Sequence, residues 1–220
     1  MDLFRIRIAS LNIEAILQDP TIHGRREKLG KTRNGLGLGD AYGATIKRIK
    51  AQGGNRSRLG MGVLMWISHA ERQLTGQELC HALAVHPDSK KFSSDNIPSV
   101  ATLVVCCQGL IVVDQEALTV RLIHPTLQRY LSSNPEIFGQ PHAAMTDICL
   151  AYPESAKVKA IPPDTAPPVL DPSFLEYCTM YKGVHMKKGL LEYAKSPGGK
   201  LFIITIGFFI CVYLLVNRRR

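Results

Sequence analysis

The run Gly24-Arg25-Arg26-Glu27-Lys28-Leu29-Gly30-Lys31-Thr32 comes closest, by residue type, to a reaction chemistry, because glycine-loop amides can cradle phosphate while a lysine reaches its outer oxygens. It sets five residues between its glycines where the phosphate loop uses four. Its flanks, Asp19-Pro20-Thr21 and Asn34-Gly35, read as neither the entering strand nor the leaving helix that such a loop needs, so no nucleotide site is expected there. The six cysteines, Cys80, Cys106, Cys107, Cys149, Cys178 and Cys211, offer thiolate chemistry but no metal-binding spacing. Cys106 and Cys107 are adjacent, and neither a Cys-x2-Cys nor a His-x3-His pair occurs, so no metal site is expected. Most of these cysteines fall on apolar helix faces, where a thiol packs as a small hydrophobe. A reducing, intracellular compartment is the default expectation.

The net charge of +9 would ordinarily suggest a nucleic-acid partner. Its distribution argues otherwise. Residues 1–58 carry 12 basic and 5 acidic side chains, residues 59–217 carry 12 and 13, and the remainder is Arg218 to Arg220. The basic excess therefore sits at the two ends and leaves the middle neutral. Met1 to Leu17 mixes Asp2, Arg5, Arg7 and Glu14 with its apolar residues and does not read as a secretory signal.

The elements that must position any site are mainly helical. Leu3–Leu17 has a mixed apolar period that resembles the end of a helix from a larger unit. Asp40 can cap a helix to about Gln52, with Tyr42, Ile46 and Ile49 on one face, and Gly53-Gly54-Asn55 ends it. A second helix, about Ser57 to Ala70, carries Leu59, Val63, Trp66, Ile67 and Ala70 as a core-facing stripe. Thr75-Gly76-Gln77-Glu78 is a capping box opening a third helix to about Val85, with Leu79 and Leu83 inward. Pro98 begins a fourth, on Val100, Leu103, Val104 and Cys107, and Gly109 stops it.

Leu110 to Val113 and Leu118 to His124 then read as a hairpin in which Leu118, Val120 and Leu122 alternate with Thr119, Arg121 and Ile123. Pro125 opens a helix with Leu127, Tyr130 and Leu131. Pro141 to Tyr152 is amphipathic on Met145, Ile148, Cys149 and Tyr152. Residues 153–172 form a proline-rich linker, and a helical pattern resumes with Phe174, Cys178 and Tyr181 towards Ala194. A three-helix core followed by a two-stranded wing is the order of a winged-helix domain, here over 57–132, with core residues Leu59, Val63, Trp66, Leu79, Leu83, Leu103, Val104 and Val120. A DNA-binding member presents Arg, Lys, Asn or Gln from the helix before the wing. Between Pro98 and Gly109 there is no Lys or Arg, and only Gln108 qualifies, so DNA reading is disfavoured.

The strings GLGDAYGATIKRIKAQ (37–52), LMWISHAERQLTGQELCHALAV (64–85), DNIPSVATLVVCCQGLIVVD (95–114), VRLIHPTLQRYLSSNPEIF (120–138) and FLEYCTMYKGVHMKK (174–188) resemble the winged-helix region of fungal NACHT and ankyrin-repeat proteins. Those proteins belong to the STAND class of signalling NTPases, and the region is also named after GPI inositol-deacylase. The resemblance runs from about Ile8 to Lys195. It implies that residues 1–52 are a remnant of the NACHT C-terminal helical region, that the nucleotide-binding half is absent, and that 133–195 is a helical extension.

The resemblance also implies a nucleotide contact for the histidine closing the second wing strand, His124 in Leu122-Ile123-His124-Pro125. An imidazole before a proline-started helix suits phosphate. The other reading of His124 is a helix cap. Hydrolysis, which the deacylase name suggests, needs a Gly-x-Ser-x-Gly elbow on a parallel sheet, and neither is present. The expectation is a non-enzymatic regulatory module with protein partners, no cofactor and no small-molecule substrate. The alternatives are a nucleotide-switch subunit using His124 with a separate NTPase, and a DNA-binding winged helix.

The resemblance fades after Lys195. Leu201 to Val216 is uncharged, with twelve Leu, Ile, Phe and Val residues, and is followed by Asn217 and three arginines. As a helix it would be about 24 Å long, which spans a bilayer core with help from the flanking cations. A single-pass C-terminal membrane anchor with the domain in the cytosol is therefore expected.

Overall fold

A computed structural model of the chain describes residues 19–33, 38–86, 91–155 and 170–196, with positions 13, 16, 17 and 198. Nearly all of Leu3–Leu17, the centre of the proline-rich linker and the whole of the expected anchor, Leu201–Val216, lie outside these residues. Among the described residues no helix is long and apolar enough to cross a membrane.

Helix α1 (Ile22–Arg33) was not expected from the sequence, because its polar composition carries no apolar stripe. Its start is fixed locally: Asp19 Oδ1 accepts from the Thr21 amide at 3.0 Å, and Thr21 Oγ1 accepts from the Gly24 amide at 3.0 Å. The P-loop-like run thus lies inside a helix rather than a loop.

Helix α2 (Leu38–Ala51) buries Tyr42, Thr45, Ile46 and Ile49 on one face. It starts two residues before Asp40, which belongs to its first turn and is not its cap. Gly53, at φ 69°, makes the break, and α3 (Gly54–His69) begins three residues earlier than Ser57. Leu59, Val63, Leu64 and Trp66 of α3 are fully buried. Gly60 lets two backbones meet, since a Cβ there would lie 2.7 Å from the Cys106 carbonyl oxygen.

Helix α4 (Gly76–Ala84) begins with the expected capping box: Thr75 Oγ1 accepts from the Glu78 amide, and Glu78 Oε2 accepts from the Thr75 amide at 2.8 Å. It ends one residue before Val85, which instead pairs in a short antiparallel ribbon of β1 (Val85–His86) and β2 (Lys91–Phe92). Helix α5 (Val100–Cys106) starts after Pro98, because Ser99 is the cap and accepts from the Thr102 amide at 3.1 Å. Leu103, Cys106 and Cys107 are buried while Val104 is half-buried.

The wing is β3 (Ile111–Val113) against β4 (Val120–Leu122), in register Ile111↔Leu122 and Val113↔Val120. Asp114 shapes the turn by accepting from the amides of Glu116 and Ala117. A bridge between Thr75 and Thr119 adds a third segment, with the Val120 amide donating to the Leu74 carbonyl. The expected alternation fails at both ends of β4. Leu118 is exposed, at φ 53° in the turn, and Ile123 is fully buried because the chain leaves the strand after Leu122.

Helix α6 (Pro125–Ser133) packs Leu127 and Leu131 inward. Helices α7 (Pro141–Ser155) and α8 (Pro172–Lys195) run antiparallel: His142 meets His185 at one end, and Tyr152 meets Phe174 and the α8 cap Asp171 at the other. Gly189 permits their close approach, as a Cβ would sit 3.0 Å from the Ala143 amide nitrogen. The hairpin closes over Trp66, whose indole meets the rings of Phe174 and Tyr177 edge-on at 5.7 and 5.8 Å.

Leu103 is fully buried between the helices and the wing. Leu103→Ala should cost about 2–4 kcal/mol through lost burial and the remaining cavity. Urea unfolding checks this, and a loss below about 1 kcal/mol would show that α5 is not part of the core.

Candidate functional site

His124, the residue that the resemblance singles out, stands at the N-terminus of α6, half-buried, with extended backbone. Its Nδ1 accepts from the Thr126 amide at 3.1 Å and lies 2.6 Å from Thr126 Oγ1. Thr126 Oγ1 is also 2.9 Å from Tyr42 Oη of α2. The donors order themselves along this chain: Tyr42 donates to Thr126, and Thr126 donates to His124. The His124 carbonyl meanwhile accepts from the Leu127 amide, and Pro125 has no N–H to offer. The first-turn amides that a phosphate would seek are therefore engaged by His124 itself, and a nucleotide would have to approach through the other edge of the ring.

A second, denser group lies where the turn after α3 meets the α7–α8 hairpin. His185, on the inner face of α8, is fully buried, and its Nδ1 is 2.9 Å from Nδ1 of His142, in the first turn of α7. On its other side, His185 Nε2 is 2.9 Å from Tyr177 Oη, which accepts from the Glu71 amide at 3.1 Å. Glu71 Oε1 lies 3.9 Å from His185 Nδ1 and 2.6 Å from Lys188 Nζ. His142 Nε2 in turn lies 3.9 Å from Glu192 Oε1. His69 closes the group, with its ring edge-on to His142 at 5.5 Å.

Burial is the main cause of the low basicity of all three imidazoles. It drives His142 down to about 4, helped by His185 and His69, and lowers His69 and His185 in the same direction. Burial likewise raises Glu192 from its ordinary value.

Beside this group lies a buried charge. Glu78 is 1% exposed, yet its carboxylate stays ionised. Desolvation opposes this, but the Arg72 guanidinium grips both oxygens at 2.6 and 3.0 Å, and the Thr75 amide adds a third bond. Arg72 also lies over the Tyr177 ring at 5.2 Å, so one cation serves the winged helix and α8 together. A parallel joint forms at the far end of the hairpin. Tyr152 Oη accepts from the Asp171 amide at 2.7 Å and reaches Nδ1 of His81 on α4 at 2.7 Å.

The structure does not bring His124 to the histidine group. The described cysteines are free and buried, and burial raises the thiols of Cys80, Cys106 and Cys107. Counting Cys and His spacings along the sequence could not find the histidine cluster, because Glu71, His142 and His185 come from three separate segments. One signal was there: His142 lies three residues before Met145 and His185 four after Tyr181, which places both on the inward stripes of α7 and α8.

Residues 48–140 match the family model described as GPI inositol-deacylase, winged helix domain. The match runs from the last turn of α2 to the turn before α7, so it takes in the three-helix core and the wing and stops short of the hairpin. No curated protein and no solved structure matches the chain.

The Glu78 carboxylate has a folded pKa held below its unfolded value of 4.5. Its stabilisation is therefore complete above that value and is lost as the pH falls through the folded pKa. Glu78→Gln should lower stability at pH 7 and remove part of the acid-induced loss below about pH 4.5. Denaturant titrations from pH 7 to 3 check this; parallel wild-type and variant curves would contradict it.

Proposed function

We propose that the chain is a non-enzymatic regulatory and protein-interaction module, derived from a NACHT-type signalling protein and held at a membrane through Leu201–Val216. The observation that carries the reading is the character of α5. In a winged-helix DNA reader this helix supplies the base contacts. Here its solvent side presents Ala101, Thr102 and Val105, with Val105 65% exposed, and the helix has no ionisable side chain except Cys106, which is buried. Such a surface suits apolar contact with another protein and offers phosphates and base edges no charged or amide side chain.

A second reading, regulation of a separate NTPase through His124, is favoured by the Tyr42–Thr126–His124 chain that ties α2 to the start of α6. It would make His124 a sensor whose movement loosens α2 from α6.

The test uses the full chain in its own cells and as purified protein. Proximity labelling should return a defined set of protein neighbours that Val105→Arg depletes while leaving abundance unchanged, and the chain should stay with membranes in alkaline carbonate. Purified protein should show no salt-dependent duplex binding. Tight duplex binding with a steep salt slope would instead favour a nucleic-acid function. ATP binding weakened by His124→Ala would favour the second reading. Release of the full chain by carbonate would remove the anchor from the proposal.

A further inference from the structure

We infer that Glu71, His142 and His185 form a binding site for one Zn2+ ion, which fastens the α7–α8 hairpin to the turn after α3. One ligand atom from each of these residues lies within 4.8 Å of the other two. The measured pairs are 2.9 Å between the two Nδ1 atoms and 3.9 Å from His185 Nδ1 to Glu71 Oε1. Zinc held at about 2.0–2.1 Å in tetrahedral geometry sets its donors about 3.3 Å apart. The two imidazoles therefore need to part by a few tenths of an ångström, and the carboxylate needs to close by a little more. Both movements are within reach of side-chain torsions.

The donor set selects the ion. Two imidazole nitrogens and one carboxylate oxygen suit Zn2+, whereas Mg2+ and Ca2+ prefer oxygen alone. The surroundings supply the outer partners that zinc-bound histidines have, in which the free ring N–H donates to a carboxylate or another oxygen. His185 Nε2 faces Tyr177 Oη at 2.9 Å, and His142 Nε2 faces Glu192 Oε1 at 3.9 Å. The ion-free contact between the two Nδ1 atoms needs a proton on one of them. Zinc needs that proton moved to Nε2 of the same ring, where Glu192 or Tyr177 receives it. Each ring keeps one proton throughout, so the exchange is a change of tautomer with no net release.

Two neighbouring groups bear on the site. Lys188 Nζ holds Glu71 Oε1 at 2.6 Å and competes with the ion, but its side chain is 44% exposed and can turn to water once a cation replaces it. His69 adds no ligand through Nδ1, which is engaged with Ser68 Oγ at 2.8 Å and the Met65 carbonyl at 3.1 Å. The fourth position is left to water, which enters beside the partly exposed carboxylates of Glu71 and Glu192.

The experiment uses the full chain purified in detergent without a histidine tag. Titration with ZnCl2 alone is followed by calorimetry and by thermal unfolding, and Co2+ serves as a spectroscopic probe of tetrahedral coordination. The expected result is one Zn2+ per chain at micromolar affinity or better, a raised unfolding temperature, and tetrahedral Co2+ absorption. Glu71→Gln keeps the shape of the site and should weaken binding at least tenfold, as should His142→Gln. His23→Gln and His86→Gln, outside the cluster, should leave binding unchanged. Circular dichroism establishes that each variant is folded, and if His142→Gln is not, Glu71→Gln decides. Absence of stoichiometric binding overturns the inference. So does binding that Glu71→Gln leaves intact, because the ion would then be held elsewhere.

Discussion

Burial of the single tryptophan is the constraint on which the rest of the arrangement depends. Trp66 belongs to α3, the central helix of the winged helix, but its ring is walled by Phe174, Tyr177 and His185 of α8. Enclosing an indole contributes on the order of 2–3 kcal/mol. That gain is complete only when both parts are in place, since α3 alone would leave an aromatic face in water. The α7–α8 hairpin is thus an integral wall of the core, although it lies beyond the residues that match the winged-helix family model. Phe174 and Tyr177 extend the contact by stacking with each other at 6.0 Å.

Around this apolar centre runs a rim of polar groups that are costly to bury alone and stable only as a set. Glu78 needs Arg72, Arg72 finds the Tyr177 face, and Tyr177 Oη joins the Glu71 amide to His185. Two of these links, Arg72 on the Tyr177 ring and the Glu71 amide on Tyr177 Oη, cross from the winged helix to α8. The rim therefore fixes which face of α8 turns inward, a choice that hydrophobic burial alone leaves loose. The same geometry gathers basic nitrogens and a carboxylate at one end of the hairpin. The predicted phosphate contact at His124 belongs to another part of the fold, where its lone pair serves as a helix cap.

Local signals made much of this legible in the sequence. The Thr75–Glu78 capping box, the Trp66 stripe and the Pro125 start act within a few residues of themselves, and they appear where the sequence placed them. The winged-helix order followed from them, and the family model recognises it. Helix α1 escaped because a solvated helix held by Asp19 and Thr21 has no apolar period to read. The β1–β2 ribbon escaped because two-residue strands carry no alternation. Leu118 was misplaced because its positive φ ends the strand parity on which the alternation rested. The histidine group was the least accessible: its members are up to 114 residues apart, and only the packing of α7 on α8 brings them together.

The claim that the winged helix and the hairpin form one cooperative unit is tested most directly by native-state hydrogen exchange, read residue by residue. Amides of α8 from Tyr177 to His185 should open with the same free energy as those of α5 around Leu103, and Trp66→Phe should lower both sets together. Exchange of the α8 amides at a markedly lower free energy, with α5 still protected, would show the hairpin to be a separate appendage and would contradict the account.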